Sequence, residues 1–263
     1  ARAAERLGWP LTTFNRKLDA VCDKLDRSGV PGLRGGQLTL ALNANGGQLD
    51  LQTGAGSALW LSGVLEPAQV PLQQMQASVR WARDAGNGAH WHVPHWSLSL
   101  ANADLQGEWQ GRWHPNALGN GPGVLDLQGQ IKQLKVAKAH RYLPLTLPPK
   151  VRQYVRDAWV GGVYSDVQVK IKGDLAKLPF ADPKDGEFKF AGRLRDVELD
   201  YLPASLWTVK TLPWPRLHKL NGQLVFDRVG IKLSEASARA ADPLGGLQLT
   251  TGQADIADLL NQP

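Results

Sequence analysis

The most regular feature of the chain is an alternation of apolar and polar residues with a period of two. Leu38 and Leu40 alternate with polar neighbours, and the run from 104 to 114 places Trp109 and Trp113 on one side. Successive side chains of a β-strand point to opposite faces of the sheet, so this period predicts strands with one apolar and one polar face. Similar runs occur at 49–51, 75–81, 125–131, 167–171, 188–194 and 220–226.

Two segments have the three- and four-residue spacing of short amphipathic helices instead. The first extends from about 10 to 28, with a proline at its start and a glycine just after its end. The second lies within 147–162, where Trp159 falls on the apolar face and Gly161 with Gly162 is the expected stop. Everything else is predicted to be strand or turn.

This balance of elements leaves apolar strand faces that two helices are too few to cover. Exposing some twenty large apolar side chains would forgo roughly 1.5–3 kcal/mol each, so the sheet must close on itself or hold something. A sandwich, a closed barrel and a curled open sheet around an apolar ligand all use the same alternation. The predicted organisation is an entry helix in 1–30, sheet in 31–146, a helix in 147–162 and sheet in 163–263, with one continuous sheet through both parts.

Composition narrows the protein class. The chain has 28 Gly and 17 Pro, a net charge of +6 and 43% hydrophobic residues, which is typical of a globular protein without long helices. A single cysteine, Cys22, excludes an internal disulfide. No stretch approaches the roughly 18 apolar residues of a membrane-spanning helix. Because the chain starts and ends within helix-like runs, we expect it to be a piece of a longer protein.

The strong sequence signatures of enzymes do not occur in this chain, and we therefore expect no enzymatic activity and no cofactor. A glycan-cleaving enzyme would need paired carboxylates in a cleft. The glutamates of the chain show no motif that pairs them, so this alternative ranks last. They are Glu66, Glu108, Glu187 and Glu235.

Three further features have both a functional and an ordinary interpretation. The alternation places His90 and His92 on one face, a spacing that a metal could use, but no nearby carboxylate completes a site and we predict none. The ten tryptophans are better explained as core or groove lining than as a sugar platform. The basic run from Lys132 to Arg156 suits either anionic headgroups or a solvated face, and acidic residues at 182–200 argue against nucleic acid.

An ordered set of short motifs resembles a known family. The set consists of a Tyr-Leu-Pro, a helix ending in Gly-Gly, a strand closing in Gly-Asp-Leu, a Pro-Phe, and a Trp-Pro before Asn-Gly. These motifs lie in the stretches HRYLPLTLPPKVRQYVRDAWVGGVYSDVQVKIKGDLAKLPF, GEFKFAGRLRDVELDYLPASLW and LPWPRLHKLNGQLVFDRVGIKL. In this combination the chain resembles the YhdP subgroup of bacterial AsmA-like envelope proteins.

The resemblance implies a fold, a place and an activity. It implies an internal fragment of a bridge-like lipid-transfer protein: a long curled antiparallel sheet, open like a half-barrel, with a hydrophobic groove. Family members are anchored in the inner membrane and extend across the periplasm, where they are implicated in moving phospholipids and maintaining the outer-membrane barrier. The implied partners are phospholipids and, through the rest of the full-length protein, both membranes. The family offers no catalytic residue.

On this basis the apolar strand faces are predicted to contact acyl chains or the core beside them. The alternative function is a closed sandwich or barrel that serves as an interaction or assembly module of the envelope without a lipid conduit. The predicted lipid-binding residues are Leu105, Trp109, Trp113, Leu125, Leu127, Val167, Val169, Ile171, Phe188, Phe190, Leu194, Leu224 and Phe226.

Overall fold

The computed structural model of the chain describes residues 32–84, 90–116, 119, 121–206, 215–240 and 246–258. These residues form mainly β-structure, with one α-helix, α1 (Pro149–Ala158), and 3₁₀ turns at Val136–Tyr142, Leu175–Lys177 and Ala204–Leu206. The strands are β1 (Gly32–Asn43), β2 (Gly46–Trp60), β3 (Gln69–Leu72), β4 (Gln74–Arg83), β5 (Trp91–Ala101), β6 (Leu105–His114), β7 (Val124–Lys135), β8 (Trp159–Asp174), β9 (Gly186–Leu199), β10 (Leu217–Asp227), β11 (Gly230–Ala240) and β12 (Leu247–Ile256).

All twelve strands belong to one antiparallel sheet. Its order is β1-β2-β4-β5-β6-β7-β8-β9-β10-β11-β12, and the short β3 pairs with the end of β2 beside this path. Because β1 and β12 are the two ends of the hydrogen-bonded order, the sheet formed by the described strands is not closed. The predicted fold class, a mainly β protein built on a long open antiparallel sheet, is confirmed, and a closed barrel is not what these strands form.

Helix α1 begins where the sequence predicts but ends earlier. Pro148 is the residue before the helix and Pro149 is its first residue, where a missing backbone N–H costs nothing. The helix ends at Ala158, and Trp159 is already extended and opens β8. The prediction of Trp159 on the helix and of a helix end at Gly161 was therefore wrong, because both residues belong to strand β8. The other predicted helix, 10–28, lies outside the described residues.

The chain divides into two compact units. Unit 1 comprises Ala1–Gly129 and Ile171–Leu178, and unit 2 comprises Gln130–Lys170 and Pro179–Pro263. Each has its own set of buried apolar side chains. In unit 1 these include Ala58, Val70, Leu72, Met75 and Leu105, and in unit 2 they include Val167, Phe180, Val197, Leu220 and Leu224.

Four neighbouring strands of unit 2 each carry a non-glycine residue with a left-handed backbone, which we call the bulge row: Asp166, Asp196, Lys219 and Glu235. In β9, β10 and β11 these residues lie where the pairing register shifts. An extra residue in a strand exchanges the two faces for the positions that follow it. Neighbouring strands change register at the same level of the sheet. Buried residues before and after the bulge row therefore point to the same face of the sheet, as Leu194 and Val197 of β9 do.

Candidate functional site

One face of unit 1 is apolar across five neighbouring strands. Residues directly opposite each other in an antiparallel pair point to the same face, so the register defines rows across the sheet. One row is Leu38, Leu51, Ala77, Leu98 and Trp109, and the next is Leu40, Leu49, Val79, Trp96 and Gly111. Every residue in both rows is only half-buried.

The other face of the same strands is polar. The row between the two apolar rows consists of Thr39, Asp50, Ser78, Ser97 and Gln110. Three of its five members are half-buried and two are exposed, whereas no member of the apolar rows is exposed. The apolar rows are thus more covered than the polar row, but each of their members keeps part of its surface accessible to water. A continuous apolar face left in this condition is the kind of surface that marks a binding site.

Tryptophans on the apolar face of unit 1 lie over glycines of neighbouring strands. A Cβ atom added to Gly129 would collide with the ring of Trp109, and one added to Gly111 would come within 3.0 Å of the ring of Trp96. Trp81 lies over Gly47 of β2 in the same way, and Trp113 lies against Gly123, the residue before β7. Each glycine leaves room for an indole ring to lie across the adjacent strand, which adds flat aromatic area to the apolar face.

Unit 2 has a corresponding apolar face. Phe190, Phe226, Ile231 and Ile256 face one another across β9 to β12 in one row. The rings of Phe188 and Phe190, two residues apart on β9, are 5.2 Å apart between centroids. The centre of this face is buried, with Val197 and Leu220 almost fully covered.

The apolar face of unit 2 becomes exposed toward its last strand. On β12, Leu247 is 68% exposed, Leu249 44% and Ile256 38%. All three are paired with apolar residues of β11, namely Ala240, Ala238 and Ile231, so they belong to the same face. In this unit too, apolar side chains at one end of the face remain in contact with water.

A hydrogen bond ties the buried part of unit 2 together. The hydroxyl of Tyr164 on β8 donates to the backbone oxygen of Leu224 on β10 over 2.8 Å. Burial raises the pKa of Tyr164 well above its ordinary value, because the ionised ring would have to be charged away from water. Tyr164 therefore serves as a neutral donor.

The predicted lipid-binding residues divide by burial. Their positions on the apolar strand faces are observed wherever a register is defined, as for Trp109 opposite Leu98 and for Phe226 opposite Phe190. Their contact with lipid stays a prediction. The buried members are Leu105, Val167, Val169, Leu194 and Leu224, and the half-buried members are Trp109, Trp113, Leu125, Leu127, Ile171, Phe188, Phe190 and Phe226.

The sequence prediction missed residues of β5 that belong to this face. Trp96 and Leu98 are in the middle of the two rows of unit 1. They alternate with Ser97 and Ser99 in the sequence, but the sequence prediction for this segment concerned only its histidines. Residues of β1, β2 and β4 complete the same rows and were predicted only as strand.

The histidine cluster lies on the polar side of β5. A register shift between Arg80 and Ala82 places His95 opposite the first and His92 opposite the second, so both histidines share one face. Nδ1 of His92 is 3.1 Å from a carboxylate oxygen of Asp84. In the described parts of the chain, no group of three or more His, Cys, Asp or Glu residues is arranged to hold a metal ion.

A cavity of about 410 Å³ lies at the turn between β1 and β2. Its lining includes Asn43, Gln48 and Arg80, and none of the predicted lipid-binding residues contributes to it. The candidate site is thus an extended face rather than this cavity.

Comparison with known proteins decides the family. The model of the YhdP protein family matches residues 6–263. The chain belongs to the YhdP family. The predicted resemblance to the YhdP subgroup is confirmed by a match that covers nearly the whole chain. No curated protein and no solved structure matches this YhdP-family chain. Among its described residues, none of the helices has the length and apolar character needed to cross a membrane.

Proposed function

We propose that this chain is a segment of a lipid-transfer bridge and shields phospholipid acyl chains on its apolar face. The bridge would operate in the periplasm between the inner and outer membranes and would maintain the outer-membrane barrier, without catalysis. Membership of the YhdP family and the open sheet support the proposal. The observation that carries it is the pair of half-buried apolar rows across five strands of unit 1.

The energetics favour an apolar partner for these rows. Each methylene moved from water to an apolar surface gains about 0.8 kcal/mol, so an acyl chain and the rows would stabilise each other. Moving a phospholipid through water without such a surface exposes two acyl chains at the same cost per methylene. Because the rows repeat similar side chains from strand to strand, lipid would meet no single deep binding site and would slide along the face.

The unit 1 tryptophans provide a direct test. Tryptophan fluorescence should be quenched by a phosphatidylcholine with brominated acyl chains, because Trp96 and Trp109 lie in the apolar rows. Leu98→Asp places a charge in the middle of a row. It should raise the lipid concentration needed for half-maximal quenching by about tenfold or more, because the carboxylate would lose its water beneath the acyl chain.

The neighbouring residue on the other face gives the matched control. Ser97→Asp adds the same charge to the polar face of the same strand and should leave quenching unchanged. Equal quenching in wild type and Leu98→Asp, with both folded by circular dichroism, would rule out acyl chains on this face. A hydrophobic dye that fails to bind the lipid-free chain would instead favour an assembly module with satisfied apolar faces.

A further inference from the structure

The positive charge of the chain is concentrated in one segment. Residues 127–156 contain no Asp or Glu and seven basic residues, which are Lys132, Lys135, Lys138, Arg141, Lys150, Arg152 and Arg156. The rest of the chain has 23 of the 30 basic residues and all 24 acidic ones, a net charge of −1. The net charge of +6 therefore comes from this segment alone.

The fold brings this charge together in unit 2. The 3₁₀ turn Val136–Tyr142 packs against helix α1. His140 lies among charges from both elements: burial, and then the positive charges of Lys138, Arg156 and Arg141, lower its pKa below the ordinary value. A protonated imidazole is disfavoured where cations already crowd the site.

We call the group formed by Lys135, Lys138, Arg141, Lys150 and Arg156 the basic surface. All of these residues except the half-buried Arg141 are exposed. Exposed basic residues on neighbouring elements produce a positive potential that attracts anions within about 10 Å at an ionic strength of roughly 0.1 M.

Carboxylates near the basic surface have partners of their own. Asp157 accepts a hydrogen bond from Nε of Arg156 over 3.0 Å, and hydrogen bonds from Ser205 and Arg156 lower its pKa. Asp200, whose backbone N–H donates to Ala158 at the end of α1, pairs through its carboxylate with Arg216 at 3.4 Å. Of the basic surface, Arg156 pairs with one of these acids, Asp157.

The basic surface also carries exposed apolar area. Val151 of α1, next to Lys150, is 45% exposed. Cations beside an exposed apolar side chain on a short amphipathic helix are typical of a segment that lies on a bilayer, where the cations meet headgroups and the apolar group meets the acyl boundary. An exposed valine beside a lysine suits the boundary of a bilayer better than the phosphate backbone of a nucleic acid.

We propose that the basic surface binds the headgroups of anionic phospholipids at a bilayer surface. This interaction differs from the proposed binding of acyl chains on the apolar face, because it depends on charge and leaves the lipid in its membrane. It would hold this segment of the chain against anionic lipid and would weaken as salt rises.

The test uses flotation of the whole 263-residue chain with two kinds of vesicle, pure phosphatidylcholine and phosphatidylcholine with about one third phosphatidylglycerol. Wild type should bind the second kind far more strongly than the first at low salt, and this difference should be lost near 1 M salt. The variant Lys135→Gln, Lys138→Gln, Lys150→Gln should bind on the order of 100-fold more weakly, since each lysine near an anionic surface contributes several-fold. These three side chains are exposed and should be removable without unfolding.

A charge-matched control separates the surface from net charge. Lys172→Gln, Lys232→Gln, Arg239→Gln removes the same three charges from exposed strand positions and should bind like wild type. This test measures salt-sensitive attachment to a vesicle, whereas the acyl-chain proposal is tested by quenching from brominated acyl chains, so either proposal can fail while the other stands. Equal binding to both kinds of vesicle, no binding to either, unchanged binding by the lysine variant, or an equal loss in the charge-matched control would each overturn the proposal.

Discussion

At the scale of single residues, the feature with the clearest physical consequence is the glycine that lies beside an indole ring in unit 1. A β-strand interior is a poor place for glycine, because its backbone loses the most conformational entropy on folding. Here the absence of a side chain is used: Gly129 and Gly111 accommodate the rings of Trp109 and Trp96. We therefore treat these glycines as part of the apolar face.

Gly129→Ala should destabilise unit 1 by about 2 kcal/mol, because the new methyl group meets both the Trp109 ring and the backbone oxygen of Glu108 at 2.6 Å. Gly54→Ala is the matched control on another strand, since nothing lies within 4 Å of its Cβ position. The control should change stability by less than about 1 kcal/mol, on the stabilising side. Urea unfolding measures both, and similar effects of the two substitutions would contradict this role for Gly129.

Tyr164 predicts a dependence on alkaline pH. Its pKa in the folded state is raised by burial, so as pH rises the unfolded chain loses this proton first, near the ordinary value of about 10. The stabilisation from Tyr164 is complete below that pH and is lost above it. Tyr164→Phe should cost about 1 kcal/mol at neutral pH through the hydrogen bond to Leu224.

Tyr164→Phe should lose less stability than wild type when the pH rises from about 9 to about 11, because the variant lacks the titrating Tyr164 hydroxyl. Part of the loss should remain, since burial also raises the pKa of Tyr154 and Tyr201. Unfolding curves at the two pH values provide the measurement. An identical drop in both proteins would show that Tyr164 is not the group responsible.

At the scale of elements, the bulge row explains where sequence reasoning succeeded and stopped. Alternation identified the middle of most strands, for example Leu220 to Phe226 in β10. It could not carry an assignment through a bulge, because the period of two breaks there: Leu194 and Val197 share a face at an odd spacing. For the same reason β11 and β12, with short runs on each side of a shift, were not predicted as separate strands.

The bulge row also predicts an unusual response to glycine. Glu235 has φ of 53°, a conformation that side-chain-bearing residues adopt at a cost and glycine adopts freely. Glu235→Gly should therefore raise the free energy of unfolding by about 0.5–1 kcal/mol. Lys232→Gly, at an exposed position of the same strand whose φ is not in the left-handed region, should lower it by a similar amount. If both variants are destabilised equally, the backbone of Glu235 is not strained.

At the scale of the whole molecule, the face was easier to predict than its burial. Alternation alone predicts Trp109 of β6 and Phe190 and Phe226 of β9 and β10 on apolar strand faces, and they are paired with Leu98 and with each other. It could not distinguish Val167, fully buried in unit 2, from Trp109, half-exposed in unit 1. Burial depends on which other segments pack onto a strand, and these come from distant parts of the chain.

If the proposed function is right, an apolar face in each unit predicts more than one bound lipid. Native mass spectrometry of the chain purified with phospholipid should show more than one lipid per chain, and Leu98→Asp alone should reduce but not abolish binding. Adding Phe190→Asp, which places a charge in the unit 2 row, should remove most of the remainder. The control Ser97→Asp with Ala191→Asp charges the opposite face in both units. Complete loss from either single charge would instead indicate one localised site.

Because of the bulge row, the lengths of β9, β10 and β11 are as constrained as their composition. Loss of one residue from β9, β10 or β11 would turn every later side chain of that strand to the opposite face of the sheet. Only the gain of one residue elsewhere in the same strand would return these side chains to their original face. Relatives of this chain should therefore vary in length at the turns between these strands and keep the spacing within them.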